Sequence, residues 1–336
     1  TVILLGTFTS NANAAWYWKP GYPNYAPNGV PDFDQRQDLW DWPLGSGTWT
    51  YCGPVAVANS FWWLDSKFDP SRLVESYGAW GDHDPQNVQP LVNDLAWRMD
   101  TDAQRTGPRG SWMGTYPDDM ENAIDAWLVD KGLVEFFCRK SIERPTFSQV
   151  AIEVEASEDV VLMIGFWVQY PEIGWRRIGG HFVTVAGVDS GNNLIAFSDP
   201  IKDVAVPLPV PPDYTQHNDA KIVSHDIYAA VPTASPGGTW GPEGYATVTD
   251  ATAFFAANPS PMIVEHPELQ ATLPMVAEVR VQQLEIVTEV EYAVIVSPCP
   301  PAVGGTVTLP SPITAFLTLL PWLLLALTMT GAAAYA

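Results

Sequence analysis

The chain has 336 residues, 47% of them hydrophobic, enough for one large domain or two ordinary ones with a sizeable core. Its 16 Lys and Arg stand against 38 Asp and Glu, a net charge of -22 at pH 7. A surface of that sign repels phosphate backbones and argues against nucleic acid as a partner.

Residues 1–15, "TVILLGTFTSNANAA", read as the tail of an export signal: an apolar run, a polar break, then Ala12-Asn13-Ala14 as a small-x-small cleavage pattern. The aromatic, Pro-rich stretch that follows has no helical period and predicts irregular structure packed onto the body. Its Trp and Tyr cluster is open to a second reading, as a ligand platform. A helix is predicted over 52–68, with Val55, Val57, Ala58, Phe61, Trp62 and Leu64 as its apolar positions. A second is predicted around 86–100. A third, "YPDDMENAIDAWLVDKGL", has Pro117 and two acids in its first turn and Lys131-Gly132 at its end. "FSQVAIEVEAS" predicts a short fourth helix.

After it the period changes. "DVVLMIGFWVQY" is a continuous apolar run and predicts a buried strand. "GGHFVTVAGVD" and "NLIAFSDP" predict two more strands, joined by the turn "SGNN". "KIVSHDIYAAV" reads as a further strand, and "EVRVQQLEIVTEVEYAVIV" as one long strand or two short ones. Residues 235–262, rich in Gly, Pro and Ala, predict a long surface loop. Helices first and an antiparallel sheet after them make an α+β plan.

From Ile313 to Ala336 the chain carries no charge, and no Asp, Glu, Lys or Arg follows Glu291. That length suits one bilayer crossing and predicts a transmembrane anchor at 313–336, behind a Pro- and Gly-rich linker at 298–312. With the signal-like start, this predicts an exported protein on the outer face of the cell membrane, its folded domain spanning 16–297.

Of the three cysteines, Cys138 in "LVEFFCRK" reads as a buried small hydrophobe, and Cys299 lies in the Pro-rich lead-in. An exported chain of this size needs no disulfide framework, and three thiols cannot all pair. Cys52 stands apart, at the predicted start of a helix. The partial positive charge there favours a thiolate. Pro54 suits a first helical turn, where its missing N–H costs nothing, and Gly53 admits close approach of another backbone. On this stretch alone, a packing cysteine and a nucleophile stand level.

A thiolate needs a base, and His181 opens a strand behind two glycines. The base needs a group to orient it. Asp199 closes the next strand and shares a face with His181 if the hairpin loop has an odd number of residues. With an even loop it points away, leaving Asp189 as the alternative. Acyl transfer also needs oxyanion donors. The Cys52 backbone N–H is one, and Gln35 a side-chain candidate with Gln37 close by.

Together "VPDFDQ", "YCGPVAVAN", "GGHFVTVAGVD" and "FSDP" resemble the bacteriocin-processing, double-glycine type of papain-like cysteine peptidase, and its stand-alone exported relatives in particular. The resemblance covers residues 30–200, leaving the strands of 220–297 as additions. It implies a papain-like fold with Cys52 as nucleophile, His181 as base, Asp199 as orienter and Gln35 as oxyanion donor. The stretch "RQDLWDWPLGSGTWTY" separates Gln35 from Cys52 as an insertion, and Ser46 occupies the family's usual Gln spacing. The implied activity is peptide or amide hydrolysis through a thioester on a peptide or protein substrate. Two alternatives stay open: transglutaminase-like acyl transfer, and a non-catalytic surface module binding peptide or glycan.

No phosphate loop, dinucleotide fingerprint or Cys-x-x-Cys is present, so no cofactor and no metal is expected. "GDHDPQN" groups Asp82, His83 and Asp84, which read as a solvated loop before a cation site. His217 and His225 read as surface or sheet residues.

Overall fold

A computed structural model of the chain describes residues 16–23, 26–33, 35, 50–68, 72–74, 87–101, 114–170, 174–200, 225–245 and 286–299. Four helices and eight strands lie among them: β1 (Tyr17–Trp18), α1 (Cys52–Lys67), α2 (Val88–Arg98), α3 (Pro117–Asp130), β2 (Phe137–Glu143), α4 (Phe147–Glu155), β3 (Asp159–Tyr170), β4 (Gly174–Asp189), β5 (Leu194–Ser198), β6 (Asp226–Val231), β7 (Gly241–Pro242) and β8 (Ile286–Pro298). The predicted export tail, Gln37, Ser46, the Asp82–His83–Asp84 loop, His217 and residues 300–336, which include the predicted anchor, lie outside the described residues.

Local chemistry sets the helix ends. α3 opens with Pro117 in its first turn and Asp118 and Asp119 against the amide pole. α4 opens with a capping box: Thr146 accepts from the Gln149 amide, and the Gln149 side chain accepts from the Thr146 amide. α1 differs in kind. Every residue from Gly53 to Ser66 is buried, so it is a central helix with no solvent stripe. Two of its buried polar side chains serve the backbone of other segments: Asp65 accepts from the Leu73 amide, 2.7 Å, and Asn59 accepts from the Phe33 amide, 3.0 Å.

The sheet is antiparallel in the order β2-β8-β3-β4-β5-β6-β7, with β1 paired to β4. Alternation sorts its side chains to two faces. Val161, Phe182, Ala196, Val294 and Val296 pack with α1, α2 and α3. Val160, Leu162, Ile164, Val183, Val185 and Phe197 pack with α4, Trp240 and Tyr245. The N-terminal segment is fixed by a fully buried ion pair between Lys19 and Asp159 at the head of β3, and Trp63 lies 4.7 Å from the same ammonium. Removing one partner of such a pair costs about 3–5 kcal/mol, because the other charge stays buried.

The mixed helix and antiparallel-sheet class agrees with the sequence reading, and three local expectations need correction. Residues 235–245 are not a surface loop, because β7 joins the sheet and Trp240 and Tyr245 are buried in its core. Cys138 is not a buried free thiol. It is half-buried, and Cys138 and Cys299 are the disulfide-bonded cysteines, leaving Cys52 free. β2 and the end of β8 are neighbours, with Cys138 opposite Ser297, which brings these cysteines within bridging range. Third, β4 starts at Gly174, so His181 lies inside that strand and does not open it. α4 packs on the face opposite the other helices. Among the described residues no helix is long and apolar enough to cross a membrane.

Candidate active site

Cys52 is the first residue of α1, half-buried, with no side chain capping the helix start. The turn's own amides therefore face the space around the thiol. Gly53 is required there by packing. A Cβ at this position would lie 2.5 Å from Thr115 Oγ1, so a side chain approaches rather than the backbone expected from sequence. Pro54 sits in the first turn as expected.

His181 is fully buried in β4, and its Nε2 lies 2.7 Å from Asp199 Oδ1. The route to this contact is unexpected. Asp189 pairs with Leu194, so the turn is residues 190–193, an even number, which by itself would turn Asp199 away from His181. Between Val185 and Gly187 the register shifts by one residue, with Ala186 bulged out, and Thr184 pairs with Ser198 beyond it. The bulge reverses the parity and puts Asp199 on the His181 side of the sheet. Asp189, the alternative orienter, is instead occupied at the turn, where its Oδ2 accepts from the Asn192 side-chain amide at 2.7 Å.

Asp199 is held from three directions. Its amide donates to Asp32 Oδ1, 3.0 Å, its Oδ1 meets His181, and its Oδ2 accepts from the Tyr245 hydroxyl at 2.6 Å. Asn59 of α1 reaches the adjoining residue, donating to Ser198 Oγ at 3.2 Å. The helix that carries Cys52 and the end of β5 are thus tied together by a buried side-chain bond. Tyr245 stacks 6.5 Å from the His181 ring. Sequence reasoning missed this tyrosine, whose one local signal is an aromatic in a segment otherwise rich in Gly and Pro.

The electrostatics follow from burial and neighbours. Burial disfavours a charged imidazole, but the charge and hydrogen bond of Asp199, then those of Cys52, outweigh it and raise the His181 pKa to about 10. Cys52 is one of the neighbours that raise the ring's pKa, which sets the thiol near His181. With Nε2 engaged by Asp199, Nδ1 is the ring nitrogen left for sulfur. Burial first, then the Asp199 charge, pushes the Tyr245 hydroxyl well above its ordinary range, so it remains a donor.

Gln35 is 1% exposed, and its amide donates to Pro200 O at 2.6 Å, so it sits at the corner that follows Asp199. Its side-chain Oε1 is buried with no protein partner among the described residues. The structure therefore brings Cys52, His181 and Asp199 together and holds Gln35 at the Asp199–Pro200 corner. His225 lies apart from them, its Nε2 3.1 Å from Val30 O and its ring stacked on Trp18.

No family model matches the chain, and no curated protein matches it. Among solved structures it is similar to a Bacillus anthracis protein provisionally named a C39-like peptidase, with 15% identity, a TM-score of 0.28, and coverage of 59% of this chain and 92% of that one. A superposition of that quality carries no functional argument, and the reading below stands on the site.

Proposed function

We propose that the protein is a papain-like cysteine peptidase or amidase that cleaves amide bonds through Cys52, His181 and Asp199. One observation carries the reading: a buried histidine with one ring nitrogen on a carboxylate at 2.7 Å, and the only free cysteine among the described residues near enough to shift its pKa.

In this mechanism the His181 imidazolium faces a Cys52 thiolate at the positive end of α1. The sulfur attacks the substrate carbonyl carbon and the carbonyl π electrons move to oxygen. The Cys52 amide stabilises that oxyanion, and the Gln35 side-chain amide is the candidate second donor. His181 gives its proton to the departing amine as the C–N bond breaks, leaving a thioester. Water, deprotonated by His181, then attacks the thioester, and the acid and thiolate are released. Asp199 keeps Nε2 protonated throughout, and Tyr245 and Asp32 keep Asp199 in place.

We propose further that the protein works outside the cell, tethered by residues 313–336. The signal-like start, the uncharged C-terminal run and a disulfide in a chain of modest cysteine content support this.

The test is alkylation of Cys52 as a function of pH, in the wild type and in His181→Ala. Labelling that titrates well below the free-thiol value of about 8.5, and loses that behaviour in the variant, supports an activated pair. Cys52→Ala then abolishes turnover. A Cys52 that titrates like a free thiol in both proteins sinks the catalytic reading in favour of a binding module.

A further inference from the structure

The protein has a cavity of about 520 Å³ that the mechanism above does not use. Its wall includes Pro117, two residues after the Thr115 that packs against Gly53, and Glu291, which lies over Gly165. Gly165 pairs with Gly180, the residue before His181, so the wall reaches the part of the sheet that carries the histidine.

Its chemistry is one-sided. Asp118, Glu143, Glu289 and Glu291 line it, with Arg144 the single cation in the wall. Glu291 is already engaged, 2.8 Å from the Arg177 guanidinium and 2.9 Å from the Trp167 indole N–H. Counting Arg177 as well, four carboxylates face two guanidiniums, an excess of two negative charges.

Glu289 supplies an independent observation. It is 1% exposed, and its Oε2 accepts from the Ser235 hydroxyl, while Oε1 is buried with no protein hydrogen-bond partner among the described residues. A buried carboxylate oxygen without a donor is costly until something donates to it. Burial pushes the Glu289 carboxyl above its usual range, and the Glu291 charge adds to that against the pull of Ser235, Arg144 and Arg177. An incoming cation favours the charged form. Trp167 and Tyr292 complete the wall with aromatic surface, which attracts ammonium and guanidinium groups.

We propose that this cavity is a substrate subsite that takes the Lys or Arg side chain of a peptide residue close to the bond cleaved. The proposal rests on the peptidase reading for its substrate, and its binding test does not depend on turnover.

The experiment measures fluorescence anisotropy of labelled peptides on the full chain carrying Cys52→Ala. The peptides are acetylated and amidated and differ only in Lys, norleucine or Glu at one scanned position. At one position Lys binds roughly tenfold or more tighter than norleucine, with Glu weakest, the scale of one hydrogen bond to a charged group. Glu289→Gln shrinks the Lys-over-norleucine ratio, and Glu143→Gln, an exposed change that leaves the core intact, shrinks it less. Equal affinity for Lys and norleucine at every position overturns the proposal, as does a preference untouched by both variants. Hydrolysis of the same peptides by the unmodified chain is scored separately. Preference without cleavage refutes the peptidase and keeps the cation site, and cleavage without preference does the reverse.

Discussion

Tyr245 donates to Asp199 Oδ2 at 2.6 Å while His181 occupies Oδ1 at 2.7 Å, so both oxygens of one buried carboxylate are spoken for. Such double engagement fixes the plane of the carboxylate and, through it, the ring. Tyr245→Phe keeps the ring and removes only the donor. We expect kcat to fall roughly tenfold with KM nearly unchanged, and stability to fall by about 1–3 kcal/mol. Steady-state kinetics and denaturant unfolding check the two parts. An unchanged kcat would leave Tyr245 a packing residue only.

The His181 pKa makes a pH prediction with a definite sign. Folded it lies near 10, against an ordinary 6.5, so folding favours the protonated ring. That contribution is complete below pH 6.5 and is lost as the pH rises towards 10. Melting temperature should therefore fall across that window in the wild type and fall less in His181→Gln. Equal slopes would mean that the ring is neutral in the native protein near pH 7.

The Ala186 bulge can be tested by subtraction. Deleting Ala186 alone removes the extra residue and leaves the other pairs of the ladder unchanged, with Ser198 opposite Thr184 and Asp199 still on the His181 side. Inserting one Ala between Phe182 and Val183 instead moves His181 one place along the ladder and to the other face. Turnover should survive the deletion at least in part and vanish in the insertion. Loss of turnover in the deletion, or full activity in the insertion, would refute the parity argument.

Thiol chemistry gives a fourth prediction. With Cys138 and Cys299 in disulfide linkage and Cys52 free, the native chain should show one titratable thiol before reduction and three after reduction and unfolding. Replacing Cys138 and Cys299 by Ser should cost roughly 2–4 kcal/mol in unfolding free energy while sparing the reactivity of Cys52.

How much of this was legible in the sequence depended on whether the signal was local. α1 announces itself through its period and its Pro54, and the buried strand β3 through its unbroken apolar run. Cys52 and Asp199 were nameable because each sits at the end of such an element, and His181 because it follows a pair of glycines inside β4. The bulge was not, since register is a property of two strands together and Ala186 looks like any other strand residue. Tyr245 was hidden because its segment has no period and its burial depends on β7 pairing with β6. The disulfide was hidden because pairing follows from the β2–β8 ladder, which joins segments far apart in the chain.

That ladder has a temporal consequence. β8 is the last strand in sequence among the described residues, yet it sits between β2 and β3 and pairs with both. Until residue 298 has left the ribosome, β2 has no neighbour in the sheet and β3 lacks one of its two. At ordinary rates of synthesis, the Cys52 thiol emerges roughly tens of seconds before the sheet that orients its partner can close. Throughout that interval the nascent chain carries the Cys52 thiol without the sheet that sets His181 and Asp199 together.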